Sequence, residues 1–310
     1  MKHKLTVGIC TPSDPLVGNR RAMVKHGVRV LQSAGIRVLL APGWSSRTGV
    51  VAGSAEERIK DIVGLLENPD IDVILGSWGG KGCLELAMSD DLYSAKVSGA
   101  KAFVGFSDVG LLACALSELA GLRCYYGLNV VGKLSETPHF IERIQSICKG
   151  GSTFTVQERA IEGCIDRGTC TGHLYGGNLE TLMPALATNI LVPKFDKIIL
   201  FWEAAYCDLP TIRSYMVALR KVSFYDRIVG MWIGHMGAAP NRDRYQAVGR
   251  WRAIKDVFAD DKFTVVYAPV FGHTGQNNEP IAIGKGATIG INRQGRQGRG
   301  SATIHIKDTV

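Results

Sequence analysis

The chain has 310 residues, of which 46% are hydrophobic and 21% charged, and its formal net charge is +8 at pH 7. These values indicate a globular protein with one large domain or two smaller ones. No apolar run is long enough to span a bilayer, and the basic start at Lys2 and Lys4 leads into only a short apolar run. We therefore expect a cytoplasmic protein with no signal peptide and no membrane partner.

The positive charge fits either a solvated basic surface or an anionic small substrate. No basic helix with interleaved aromatic residues is visible, which argues against a nucleic acid polymer as partner. The eight cysteines contain no C-x-x-C pair, and several lie in apolar runs. We expect reduced, mostly buried thiols rather than a disulfide framework or a zinc site.

The N-terminal part of the chain alternates strands with helices, a pattern that predicts a doubly wound parallel sheet of the α/β class. Binding sites in such sheets lie beyond the carboxyl ends of the strands. Gly79 and Gly80 follow one such end and Ser107 follows another. The predicted elements are strand 5–10, helix 17–34, strand 36–40, a helix from 54, strand 71–75, short helices 83–88 and 92–98, a strand ending at 107 and a helix from 110.

The chain changes character beyond residue 125, where it becomes more polar and irregular. We predict an N-terminal domain at 1–135, a connector at 136–165 and a smaller C-terminal domain, α/β or β-rich, at 166–310. The connector contains a predicted helix at 140–148. The elements expected in the C-terminal domain are strands 171–175, 197–202, 228–233 and 263–270 and helices 178–187, 209–222 and 245–258.

Ser107 lies between an apolar strand and an apolar helix, which is how α/β hydrolases present a nucleophile. Such a turn also offers backbone N–H groups to a developing oxyanion. The match to G-x-S-x-G is imperfect, because Val109 occupies the place of the second glycine. The alternative, favoured by this segment alone, is an ordinary helix N-cap formed by Ser107 and Asp108.

Ser107, Glu203 and His273 each follow a strong apolar strand, in an order that suits a nucleophile, an orienting carboxylate and a general base. Each residue alone is a weak signal. His273 could instead bond the backbone of its loop, and Glu203 could pair with Arg213. A further strand-end histidine, His235, fits a structural role better.

Several segments resemble the LD-carboxypeptidase family of serine peptidases, which also includes the microcin C self-immunity peptidases. They follow the order of the family motifs over nearly the whole chain. The matching segments are 10–13, 35–38, 52–61, 68–74, 78–82 (W-G-G-K-G), 105–108 (G-F-S-D), 176–179 (G-G-N-L), 200–204 (L-F-W-E-A) and the stretch from Gly272-His273 to Asn277.

The resemblance implies a catalytic triad of Ser107, Glu203 and His273, with the oxyanion bound by the backbone N–H groups of Gly80 and Asp108. It further implies two domains with the active site at their interface, a homodimer, and no metal or organic cofactor.

The chain departs from the family motifs at positions expected to line the substrate. Trp78 replaces an arginine, Lys81 replaces an aromatic residue, and Ala204 replaces the aspartate after the catalytic glutamate. We predict that Gly79, Lys81, Trp78 and Asn178 contact the substrate. Lys81 could equally be a solvent-exposed loop lysine.

Three functions follow from these observations. The first is an LD-carboxypeptidase that releases a terminal D-amino acid from a muropeptide, an anionic peptide. The second is an immunity-type peptidase that cuts the amide of an aminoacyl- or peptidyl-nucleotide. That branch stacks a connector aromatic on the base, whereas all five tryptophans lie outside 136–175. The third is a binding protein without turnover, which the complete set of three residues argues against.

Overall fold

The computed structural model describes residues 4–131, 139–150, 155–156, 161–237, 249–273, 279–292 and 301–306, with only the backbone for 155–156, 292 and 301–306. The chain forms two compact units, Met1–Ser152 with Pro280–Ile283, and Thr153–Glu279 with Gly284–Val310. The predicted boundaries around a connector at 136–165 stay a prediction, and residues 132–138, 151–154 and 157–160 of that region lie outside the described residues. No helix in the described ranges is long and apolar enough to cross a membrane.

The first unit is built on a six-stranded sheet with the order β12-β5-β4-β3-β1-β2. Its five strands from β1 to β5 are parallel, and β12 pairs antiparallel with β5 at the edge. The elements are β1 Thr6–Cys10, α1 Arg20–Ser33, β2 Arg37–Leu40, α2 Ala55–Glu67, β3 Val73–Gly76, α3 Cys83–Ala87, α4 Asp90–Tyr93, β4 Lys101–Gly105, α5 Asp108–Leu116, β5 Leu122–Tyr126, α6 His139–Cys148 and β12 Ile281–Ile283.

The central strands of this sheet are fully buried, as their continuous apolar sequences require. Helices α1 and α2 each bury one apolar face, whereas α5 is buried along its whole length. A capping box of Ser54 and Glu57 starts α2. The strand order 2-1-3-4-5 reverses direction between β1 and β3, which is where open α/β sheets place their ligands. The loops after β1, β3 and β4 therefore surround the expected site of this unit.

The second unit holds an eight-stranded sheet with the order β6-β14-β13-β8-β9-β10-β11-β7. Its centre, β8-β9-β10-β11, is parallel, and antiparallel strands flank it on both sides. The elements are β6 Thr155–Val156, β7 Gly163–Ile165, β8 Cys170–Asn178, α7 Leu179–Ala187, β9 Ile198–Ala204, α8 Leu209–Leu219, β10 Ile228–Met236, α9 Arg250–Ile254, β11 Thr264–Tyr267, β13 Gly286–Asn292 and β14 Ser301–Ile306, with 3₁₀ turns at Tyr225–Arg227 and Lys255–Phe258.

The predicted class, a doubly wound parallel sheet followed by a second α/β domain, is confirmed. All parallel strands except β5 were predicted, since each is an apolar run next to a helix in the sequence. The sequence analysis missed β5, β7, β12, β13 and β14. Four of these five are antiparallel edge or flanking strands, which carry a weaker apolar signal.

Candidate functional site

Ser107 occupies a sharp turn between β4 and α5, with φ 59° and ψ −129°. A positive φ is unusual for a residue with a Cβ and costs about 1–3 kcal/mol. The side chain makes no capping hydrogen bond to α5. The ordinary N-cap considered above is therefore not what forms here, and the strained turn is the conformation expected of a nucleophile elbow.

Asn129 holds this turn in place from the loop after β5. Its Oδ1 accepts from the Phe106 backbone N at 3.2 Å, and its Nδ2 donates to the Phe106 carbonyl at 3.3 Å. Because Asn129 is itself buried, this two-point clamp fixes the residue immediately before Ser107. The sequence analysis missed Asn129, which carries no motif signal.

The glycine-rich loop after β3 lies against Ser107. A Cβ built on Gly79 would be 3.2 Å from Ser107 Oγ, so the backbone of the loop passes directly beside that hydroxyl. Gly80 has φ +144°, and a Cβ there would be 2.0 Å from Asp14 Oδ1. That carboxylate accepts from the Lys81 backbone N at 3.1 Å. The close approach of the two loops therefore requires glycine at position 80.

Asp108, predicted for its backbone N–H, also uses its side chain. Oδ2 accepts from Ser13 Oγ at 2.5 Å and from the Cys83 backbone N at 2.8 Å. Ser13 Oγ in turn accepts from Gly82 N at 3.3 Å. Burial, reinforced by the Asp108 carboxylate, raises the pKa of the Cys83 thiol well above its usual range. This buried network joins the loops after β1 and β3 to the start of α5.

The substituted positions of the loop face different surroundings. Trp78 is half-buried against the core of the unit, and the Arg20 guanidinium lies 4.4 Å from its ring centroid. Lys81 is exposed. Each of these two loop positions therefore has a cation at or beside it, Lys81 itself and Arg20 over Trp78.

Glu203 and His273 are paired in the second unit. Glu203 is fully buried near the end of β9, and both of its oxygens lie 3.0 Å from His273 Nδ1. The His273 backbone N also donates to Oε2, at 3.3 Å. A carboxylate accepting from Nδ1–H fixes the tautomer in which Nε2 carries the lone pair that can accept a proton. The alternative partner of Glu203 is excluded, because Arg213 forms a bidentate pair with Asp256 at 2.6 Å.

Burial lowers the pKa of His273, but the hydrogen bond and negative charge of Glu203 and the charge of Glu180 outweigh it, so the pKa lies above its usual value. Gly272 makes the pairing possible. It has φ +115°, and a Cβ there would be 2.9 Å from both Cβ and Oε2 of Glu203. Only glycine permits this close approach.

Asn178 ends β8 directly opposite Glu203 in the register of the parallel pair. Its Nδ2 donates to Glu203 Oε1 at 2.9 Å and to Glu180 Oε2 at 3.1 Å, while its Oδ1 accepts from Thr181 N at 3.2 Å. The side chain is buried, and protein groups use both N–H donors of its amide and one lone pair of Oδ1. Its predicted contact with substrate stays a prediction.

His235, expected to be structural, ends β10 in this region. Its Nδ1 is buried and has no hydrogen-bond partner among the described residues. Burial, Arg250 and His273 lower its pKa, against an opposing effect of Glu203.

The predicted residues thus form two groups. Ser107, Gly79, Gly80 and Asp108 meet at the carboxyl end of the first sheet. Glu203, His273 and Asn178 meet at the carboxyl end of the second. Glu180, which bonds Asn178, was missed, and its one sequence signal is an acidic residue in the first turn of α7.

Comparison with known families adds independent information. The profile of the LD-carboxypeptidase N-terminal domain matches residues 7–127, and the profile of the C-terminal domain matches residues 171–289. Together they span most of the chain.

Individual relatives are distant. The chain is 23% identical to the microcin C7 self-immunity protein MccF of Escherichia coli, over 74% of this chain and 75% of that protein. It is 27% identical to the murein tetrapeptide carboxypeptidase of Pseudomonas aeruginosa, over 50% and 52%. A solved structure of MccF in complex with aspartyl sulfamoyl adenosine matches with a TM-score of 0.74 and 18% identity, over 99% and 97% of the two chains. That likeness shows a shared fold.

Proposed function

This chain belongs to the LD-carboxypeptidase family, and we propose that it is a serine-type amide hydrolase with Ser107 as nucleophile, His273 as general base and Glu203 as the residue that orients His273. The observation that carries the proposal is the buried Glu203 carboxylate on His273 Nδ1. This geometry leaves Nε2 as the nitrogen that exchanges protons. The strained turn at Ser107 supplies a hydroxyl that does not cap its own helix.

In the proposed reaction, Ser107 Oγ attacks the amide carbonyl while His273 Nε2 takes the hydroxyl proton. The negative charge that develops on the carbonyl oxygen is stabilised by the backbone N–H groups of Gly80 and Asp108. The protonated His273 then gives its proton to the leaving amine, and the acyl group stays on Ser107. Water, activated by His273, hydrolyses this ester and restores the enzyme.

For the substrate, we favour a peptide that ends in a D-amino acid, as in muropeptides. Such peptides carry several carboxylates, and the chain has a net charge of +8. Lys81 is an exposed cation on the loop that contains Gly79 and Gly80, and Arg20 of α1 lies over Trp78 of the same loop. The Pseudomonas aeruginosa relative is a murein tetrapeptide carboxypeptidase.

An aminoacyl- or peptidyl-nucleotide amide is the second candidate. The observation in its favour is the MccF structure that contains aspartyl sulfamoyl adenosine, since the fold of that protein is shared over nearly the full length of this chain. In this chain Trp78 or Tyr175 would have to stack on the base, and Tyr175 is buried.

A fluorophosphonate probe tests the reaction type, because it labels only an activated serine. We expect the wild type and Ser117→Ala to be labelled and Ser107→Ala to remain unlabelled. Ser117 is a matched control at the other end of the same helix, where its hydroxyl bonds the Cys114 carbonyl. An unlabelled wild type, or equal labelling of Ser107→Ala, contradicts the proposal.

Incubation with a tetrapeptide ending in D-alanine and with aspartyl sulfamoyl adenosine separates the two substrates. Release of D-alanine alone supports the carboxypeptidase. Release of the nucleoside sulfamate alone supports the second candidate.

A further inference from the structure

Glu180 makes more contacts near the Glu203–His273 pair than its position in a helix requires. It lies in the first turn of α7 and is partly buried. Oε2 accepts from Asn178 Nδ2 at 3.1 Å and from the Ala205 backbone N at 3.1 Å, and Oε1 accepts from the Tyr206 backbone N at 2.8 Å. A carboxylate that served only to stabilise the helix dipole at the N-terminus of α7 would not need to bond the loop that follows β9.

These contacts reach Glu203 by two routes. Through Asn178, which donates to both carboxylates, Glu180 fixes the amide that holds Glu203 Oε1. Through the backbone N–H groups of Ala205 and Tyr206, it fixes the two residues that follow Ala204 at the end of β9. Glu203 is therefore held through its side chain, by Asn178, and through the backbone of Ala205 and Tyr206 that follows it.

The same carboxylate also acts on His273 through its charge. The ionisable groups that raise the pKa of this imidazole are Glu203, in contact with it, and Glu180, behind Asn178. His273 in turn lowers the pKa of His235 on β10. Burial opposes protonation of His273, and the two glutamates favour it. The Tyr206 ring, in an edge contact with His273 at 5.8 Å between centroids, extends from the loop that Glu180 bonds.

We propose that Glu180 is a positioning residue, which orients Glu203 through Asn178 and the loop backbone and thereby holds His273 in its working orientation. The inference rests on the proposed function for its effect on turnover, while its effect on the imidazole exists whether or not the protein turns over a substrate. Without the hydrogen bonds of Glu180, the Glu203 carboxylate would remain near the His273 imidazole but would no longer be oriented toward Nδ1.

The test combines Glu180→Gln with an NMR titration of His273, whose imidazole signal is assigned by its absence in His273→Gln. Glutamine keeps the size of the side chain, loses the charge and cannot accept from all three donors. We expect the pKa of His273 to fall, and kcat to fall by about 10- to 100-fold with little change in KM. The acid limb of the kcat profile should move to lower pH with the imidazole.

Asp226→Asn is the matched control, because it removes one negative charge from an exposed position of the same unit. It should leave both the His273 titration and kcat unchanged. An unchanged His273 pKa in Glu180→Gln overturns the proposal, and so does an equal fall in both variants.

Should Glu180→Gln not fold, Glu180→Asp is measured instead. The charge is kept, but the shorter side chain cannot reach Asn178 and both backbone N–H groups at once. We expect the His273 signal to shift position, and a spectrum and titration identical to the wild type overturn the proposal. If the wild type does not react with a fluorophosphonate, the proposed function fails, while the titration still decides the role of Glu180.

Discussion

The turn at Ser107 and the Glu203–His273 pair each contain a buried carboxylate, but the two carboxylates bond different kinds of group. Asp108 bonds a hydroxyl and a backbone N–H, neither of which titrates near neutral pH. Glu203 bonds an imidazole, which does. The first carboxylate therefore fixes the geometry of loops, and the second determines the charge state and tautomer of a base.

The two regions also differ in how far apart their partners lie along the chain. The turn itself is local, since β4, Ser107 and α5 follow one another directly. The pair joins residues 70 positions apart and needs the register of β8 against β9 to bring Asn178 beside Glu203. A local turn can be read from a short motif, whereas the pair depends on strand order.

Glu203→Gln should have the largest effect. Glutamine keeps the shape but no longer stabilises a protonated imidazole, so we expect kcat to fall by about 1,000- to 10,000-fold. The pKa of His273 lies above its usual value of 6.5, so wild-type kcat/KM should decline as the pH falls through a value above 6.5. In Glu203→Gln the residual activity should decline only at lower pH.

Asp226→Asn again serves as the control for this profile, which should match that of the wild type. If Glu203→Gln keeps more than a tenth of wild-type kcat, or if the acid limb of its pH profile does not move, the role proposed for Glu203 is contradicted.

Matched glycine substitutions sharpen the comparison. Alanine at 272 would meet the buried and doubly bonded Glu203 side chain, which cannot move away. We expect a loss of about 100-fold in kcat, as for a small misplacement of a reacting group. Alanine at 80 would meet the carboxylate of Asp14, which can rotate, and the Asp14 Cβ at 2.7 Å, which cannot. The exposed loop must therefore shift, and a loss of about tenfold is expected.

Gly18→Ala separates backbone strain from these contacts, because Gly18 has φ +58° and no atom within 4 Å of a built Cβ. It should lower the free energy of unfolding by about 1–2 kcal/mol without changing kcat. Equal losses of kcat in the alanine variants of Gly272, Gly80 and Gly18 would mean that backbone strain alone lowers kcat. The close contacts of Gly272 with Glu203 and of Gly80 with Asp14 would then be irrelevant to turnover.

The sequence predicted the parallel strands other than β5, most helices, and the strand-end positions of Ser107, Glu203 and His273. These features follow from apolar periodicity and from polar residues placed at strand ends. The bonding around them could not be predicted in the same way. Glu180 and Asn129 act through contacts with other segments, and nothing in their own neighbourhood distinguishes them from an acidic helix start or a loop asparagine.

The contacts of two predicted site residues, Asn178 and Trp78, could not be predicted from the sequence motifs. The substrate contact predicted for Asn178 stays a prediction, and the structure adds that its amide bonds two carboxylates and a helix N-terminus. Trp78 replaces an arginine of the family motif, yet Arg20 from the start of α1 covers its ring. The guanidinium of Arg20 thus places a positive charge next to position 78, although it belongs to α1. This contact depends on how α1 packs and could not be predicted from the motif.

Asp108→Asn should have a small effect on turnover and a distinct effect on stability. Asparagine keeps the volume, but it weakens the bonds to Ser13 Oγ and Cys83 N, both of which are buried. We expect the free energy of unfolding to fall by about 1–3 kcal/mol and kcat by no more than about tenfold.

Asp70→Asn, at an exposed ion pair with Arg37, is the control and should change the free energy of unfolding by less than about 1 kcal/mol. Urea unfolding and kcat measured on both variants decide the matter. If Asp108→Asn were as stable as the wild type but lost 1,000-fold in kcat, its carboxylate would take part in the chemistry, and the division between a carboxylate for loop geometry and one for proton transfer would be wrong.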